Sequence, residues 1–118
     1  MKKVIVLIVV VSFIIQSCAS VFSETVIDPA KTFVLGEGKH VSYSAKVKNL
    51  GAVAIEIFKQ ELDGEKISVG ILKVNQEETY EIPRNTAVFF QNSSSSKVVR
   101  IKIELYGTSN LSMGYKEN

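Results

Sequence analysis

KVVRIKIELYG, residues 97–107, is the stretch that decides the fold. Val99, Ile101, Ile103 and Leu105 fall on one side of an extended chain, and Arg100, Lys102, Glu104 and Tyr106 fall on the other. Successive side chains of a strand point to opposite faces, so this alternation predicts a strand with one face in a core and one in water. HVSYSAKVK, residues 40–48, repeats the pattern: Val41, Tyr43, Ala45 and Val47 against Ser42, Ser44, Lys46 and Lys48.

Between these two strands the periodicity stays near two but slips. Val53, Ile55 and Ile57 share a face, then Phe58 and Leu62 fall out of phase, which predicts a β-bulge near Phe58 to Gln60. A helix from Gly51 to Leu62 competes with this strand. The β-branched Val53, Ile55 and Ile57 and the Asp63-Gly64 pair favour the strand, because Asp-Gly suits the left-handed positions of a tight hairpin. The return strand, Lys66 to Asn75, places Ile67, Val69 and Ile71 on one face and then slips at Gly70 to Leu72 and Val74. Short strands follow at Thr79 to Ile82, stopped by Pro83, and at Asn85 to Gln91, apolar on both sides at its centre. Thr32 to Leu35 precedes a Gly36-Glu37-Gly38 turn, Glu24 to Ile27 is a first short candidate broken by Pro29, and Leu111 to Tyr115 is a last edge candidate. Seven or eight short strands with evenly spaced turns and no helix beyond the N-terminal leader predict an all-β domain. Its architecture is a two-sheet antiparallel β-sandwich, immunoglobulin-like in its layering, with a partly open barrel as the alternative.

The first 18 residues are of another kind. Lys2 and Lys3 precede an apolar run from Val4 to Ile15, and then come Gln16, Ser17 and Cys18. This is the three-part layout of a secretory signal peptide. The run, broken only by Ser12, is twelve residues long and in a helix spans roughly 18 Å, short of the ~30 Å hydrocarbon core of a bilayer. Ile15-Gln16-Ser17-Cys18 resembles the lipobox of bacterial lipoproteins, with an aliphatic residue three before the cysteine and a small one directly before it. The resemblance covers only the leader. It implies that a diacylglycerol is joined to the Cys18 sulfur and that cleavage makes Cys18 the new N-terminus. It also implies a membrane-anchored protein of the cell envelope, in the outer membrane of a Gram-negative host, since Ala19 rather than Asp follows the cysteine. The expected organisation is then a signal peptide over residues 1–17, a lipidated cysteine and lead-in over 18–29, and the sandwich over 30–118. Two readings compete: ordinary signal-peptidase cleavage after Ser20 or Ser23, releasing a soluble secreted protein, and an uncleaved anchor from Val4 to Phe22.

Composition narrows the activity more than it identifies one. The chain has 14 basic and 12 acidic residues, and removal of Lys2 and Lys3 leaves 12 of each. A formally neutral domain lacks the phosphate-neutralising excess that nucleic-acid binding draws on. Cys18 is the single cysteine and His40 the single histidine, so an intramolecular disulfide is excluded and a zinc site or a nucleophile–histidine pair is not expected. No catalytic residue, metal or cofactor is expected. Asn92-Ser93-Ser94 and Asn110-Leu111-Ser112 match the N-glycosylation pattern, which has meaning in a eukaryotic secreted protein and none in a bacterial lipoprotein.

The candidate binding residues are the outward rows. Lys46 and Lys48 on one strand and Arg100 and Lys102 on another make a small basic patch if the strands are neighbours, suited to anionic head groups or an acidic partner. Tyr106, with Tyr80 and Phe58, offers aromatic surface for a partner or a sugar. The leading expectation is a non-catalytic binding or accessory domain with another envelope protein or a glycan as partner, and the alternative is a small carbohydrate-binding module.

Overall fold

The computed structural model describes residues 21–108 and 110–118, with the side chains of Val21 and Phe22 not described. The expected signal peptide, the lipobox-like residues and Cys18 lie outside the described residues.

Among the described residues, nine strands form two antiparallel sheets. They are β1 (Val21–Ile27), β2 (Lys31–Leu35), β3 (Tyr43–Asn49), β4 (Ile55–Glu61), β5 (Lys66–Leu72), β6 (Glu77–Ile82), β7 (Thr86–Gln91), β8 (Val99–Tyr106) and β9 (Met113–Glu117). One sheet has the order β1-β8-β3-β6 and the other β5-β4-β7-β2-β9. The two-sheet antiparallel sandwich required by the alternating rows is therefore present, with β1 carrying it to the N-terminal side of residue 30. Within that architecture the winding is that of a jelly roll, in which β1 pairs with β8, β2 with β7, β3 with β6 and β4 with β5.

The core lies between the sheets. From β8, Val99, Ile101, Ile103 and Leu105 are all buried, as their spacing predicts. They meet Tyr43, Ala45 and Val47 of β3, and across the gap Ile55 and Ile57 of β4, Val88 and Phe90 of β7, and Phe33 and Leu35 of β2. Each such aliphatic or aromatic side chain contributes roughly 1.5–3 kcal/mol by leaving water. The strand containing Tyr43 begins three residues later than the alternation suggests, so Val41 is not in the core but 60% exposed.

The phase slip in the β4–β5 hairpin has a different origin from the bulge expected in β4. Ile57 lies opposite Gly70 and Phe58 opposite Ser68, which leaves Val69 of β5 without an opposite residue. The bulge is thus in β5, where Gly70 adopts φ +149°, open to glycine and strained for other residues. Phe58 keeps the alternation of β4 and faces outward, where it packs with Val34, Ala87 and Phe89 on the outer face of the five-stranded sheet. The Lys66 ammonium sits 4.6 Å from the Phe58 ring centroid and 4.8 Å from that of Phe89. The hairpin turns at Asp63-Gly64 as expected, with Gly64 N–H donating to the Glu61 carbonyl at 2.9 Å. Asp63, at φ +66°, takes the left-handed position there.

Candidate functional site

Strands β3 and β8 are neighbours, so the four expected cations do share one face. Lys48 lies directly opposite Lys102, and Lys46 opposite Glu104. Carboxylates are interleaved with them. Glu24 of β1 pairs with Arg100, Glu77 of β6 approaches Lys46 at 3.6 Å, and Glu104 approaches Lys102 at 3.9 Å. Glu81 accepts a hydrogen bond from the Ser44 hydroxyl at 2.6 Å. Lys46, Lys48, Arg100 and Lys102 thus share their sheet face with Glu24, Glu77, Glu81 and Glu104, and the face has no formal excess charge. Exposed ion pairs of this kind contribute about 0–1 kcal/mol each and are screened by salt.

Tyr106 ends this face. It is exposed, and its phenol donates to Glu104 Oε2 at 2.5 Å. Beside it a shallow depression of about 420 Å³ is lined by Ser42, Tyr43, Ser44, Glu81, Pro83 and Gly107 among others. The other candidate aromatics are elsewhere. Tyr80 is half-buried against the core, and Phe58 lies on the outer face of the opposite sheet. Burial, with the Glu78 carboxylate adding to it, pushes the Tyr80 phenol up to about 12. The three aromatics therefore form no common platform.

His40 is a positioning group for the loops. Its Nδ1 lies 2.6 Å from the Val41 carbonyl, and its Nε2 accepts from Thr86 N–H at 3.2 Å. Its backbone N–H donates to Asn85 Oδ1 at 2.9 Å, and its carbonyl accepts from Asn85 N–H. The ring meets Tyr43 edge-on, with centroids 5.3 Å apart. Gly36 makes the room: at φ +77°, a Cβ there would stand 3.1 Å from the Tyr43 oxygen and 3.2 Å from His40 Nε2. Burial alone drives the Tyr43 phenol well above its ordinary range. Among the described residues no group of three or more His, Cys, Asp or Glu is placed to hold a metal.

Two features were not visible in the sequence. The first is the exposure of the β5 aliphatic side chains. Ile67, Val69 and Ile71 are 56%, 43% and 60% exposed on an edge strand, while Leu72 next to them is fully buried. The bulge explains part of this, because it puts Ile71 on the outer face opposite Glu56 and Ile67 on the other face opposite Lys59. Lys59 and Ile67 are both exposed, so this end of the hairpin extends past the cover of the smaller sheet. The second is a pair of fully buried asparagines, Asn49 and Asn92. Asn49 Nδ2 donates to the Val53 and Leu72 carbonyls, tying β3 to the opposite sheet. Asn92, in the first N-glycosylation match, has its Nδ2 committed to three carbonyls and lies inside the fold, whereas Asn110 in the second match is exposed. Asn92 is thus no acceptor in the folded domain.

Compared with known proteins, the chain matches no family model and no curated protein. A sandwich with jelly-roll winding carries many unrelated activities, so function has to be argued from the surface.

Proposed function

We propose that this is an exported lipoprotein of the bacterial cell envelope, anchored through Cys18, whose sandwich acts without catalysis by binding another envelope protein through the β5 edge. The anchor rests on the lipobox-like Ile15 to Cys18 and on the single cysteine standing at the end of the leader. With Ala19 after the cysteine, the outer membrane is its destination in a Gram-negative host. The observation that carries the binding role is the group Ile67, Val69 and Ile71, three aliphatic side chains about half exposed on one edge strand. Exposed apolar side chains gathered on one edge mark an interaction site even though the bulge turns Ile71 to the outer face and Ile67 to the other, because water contact with them costs about 25 cal/mol per Å² that a partner wrapping the edge would recover.

The test has two arms. Cys18→Ala should abolish incorporation of labelled fatty acid, and unchanged labelling removes the anchor from the reading. A photo-crosslinking residue at Ile71 should trap a defined envelope protein in living cells, and one at Val26 on the far sheet should not. Trapping that is equal at both positions, or that survives Ile67→Ser with Val69→Ser, refutes the β5 edge as the binding surface.

A further inference from the structure

The end of the sandwich where β1 begins carries a cap of linked loops with three exposed apolar side chains among charged ones. Val21 pairs with Leu105, and Tyr106 follows directly. Tyr106 shares the wall of its depression with Ser42 and Pro83. From there, Leu62 N–H donates to the Asn85 carbonyl at 2.8 Å, and Asn85 N–H donates to the His40 carbonyl at 3.2 Å. Three loops are thereby locked together; Val41 and Leu62 lie in two of them and Tyr106 ends β8 at the same end of the sandwich, and the three side chains are 60%, 46% and 42% exposed. Val98, Val74 and Leu50 lie at the opposite end, in or beside the loops that precede β8, β6 and β4.

Chain length selects what covers this cap. Cys18 is three residues before Val21. Fully extended, three residues reach at most about 11 Å. A lipid on Cys18 therefore holds the start of β1 against the bilayer, and the cap beside that start is the surface brought to it. We infer that the Val41–Leu62–Tyr106 end of the sandwich rests on the lipid surface, and that the loops around Val74 and Val98 point away from it. This inference rests on the proposed lipidation of Cys18 and adds the orientation of the domain. The cap also carries Glu37, Glu61, Asp63 and Glu65 against Lys39, Arg84 and Lys66, so it has no cationic excess to draw it to anionic head groups, and the contact with lipid is made by its apolar side chains.

The chain contains no tryptophan, which makes the test direct. Val41→Trp, Leu62→Trp and, at the far end, Val98→Trp are each placed alone in the full lipidated protein. The proteins are reconstituted in phosphatidylcholine vesicles with and without brominated acyl chains. Emission from the residues at 41 and 62 should be lost to the bromines, emission from residue 98 should be retained, and phosphatidylglycerol should change neither. Equal quenching at both ends, or stronger quenching at 98, in a protein whose N-terminal peptide carries the lipid by mass, overturns the orientation alone. Quenching that appears only with phosphatidylglycerol overturns the apolar contact. An N-terminal peptide without lipid, in protein that does not float with the vesicles, overturns the anchor and the orientation with it.

Discussion

Replacing Asn92 with alanine should cost this domain more than removal of any exposed charge. Asn92 follows β7 and is fully buried. Its Nδ2 donates to the carbonyls of Ile27 at 3.0 Å, Asp28 at 3.2 Å and Lys97 at 2.8 Å, and its Oδ1 accepts from Ser94 N–H at 3.0 Å. One side chain thus closes the end of β1, the turn into β2 and the serine loop that leads to β8. In Asn92→Ala the Ile27 carbonyl is left buried without that donor, at about 1–3 kcal/mol, while the part-buried partners recover some water contact. The sum comes to about 3 kcal/mol, a loss of roughly 12–24 °C in Tm for a domain near 100 residues. Urea unfolding followed by circular dichroism measures it, with Asn110→Ala as the exposed control, expected within about 0.5 kcal/mol of the parent. If Asn92→Ala unfolds together with Asn110→Ala, the buried amide is not holding the three segments. Asn92→Asp gives an independent check. It sets a carboxylate against three carbonyls, so it should be at least as damaging as alanine, and a benign aspartate would contradict the hydrogen-bond assignment.

Burial raises the phenols of Tyr43 and Tyr80, the latter to about 12. Above pH ~10 the unfolded chain releases protons that the folded chain keeps, so stability present at neutral pH falls as pH rises from about 10 towards 12. Tyrosinate absorbance should show the Tyr43 and Tyr80 phenols ionising late and together with unfolding, and their reversible ionisation near pH ~10 in a folded protein would refute this. Lys66→Ala should destabilise by roughly 1 kcal/mol through loss of the ammonium above Phe58 and Phe89, with Lys66→Arg close to neutral. An equal loss in both would assign the effect to something other than the cation over the rings.

Much of the sandwich was legible because burial imposes a period of two. The row of β8 could be read residue by residue, that of β3 from Tyr43 to Lys48 but not at Val41, and Pro83 marked where β6 stops. The winding could not be read. The pairing of β1 with β8 joins residues about 80 positions apart, and nothing local in either strand specifies its partner. The slip at Phe58 was legible as a break in phase but not in its cause, because an outward phenylalanine in a second apolar cluster and an inward one after a bulge give the same string. Asn49 and Asn92 read as ordinary turn residues, since a polar side chain after a strand shows its buried partners only when distant segments are brought to it. Among the proposed site residues, the Lys46, Lys48, Arg100 and Lys102 rows were visible, whereas the carboxylates interleaved with them come from β1 and β6 and depend on the unread topology.

The same limit applies most sharply to β5. Ile67, Val69 and Ile71 have the spacing of a buried row, and exposure follows only from the strand's place at an edge and from the bulge at Val69. Edge strands commonly carry charges that discourage pairing with other chains. In β6, the edge of the other sheet and the next strand in sequence, Glu77 and Glu81 occupy the outer face, and Glu78 occupies the inner-face position opposite Val47. A carboxylate at such a position must be buried if another strand is added, which penalises addition there. β9, the second edge of the larger sheet, is five residues long, with Lys116 and Glu117 both in ion pairs. β5 has Lys66 and the bulge, which hinder regular strand addition, and yet keeps three exposed aliphatic side chains. A bulged edge is poorly suited to accept a further strand through its backbone, but its side chains remain available. The partner of β5 is therefore expected to bind by side-chain packing around the edge, with Ile71 on the outer face and Ile67 on the other. A proline at Ser68 that leaves crosslinking from Ile71 intact would separate this mode from strand addition, and loss of crosslinking with the fold retained would favour strand addition instead.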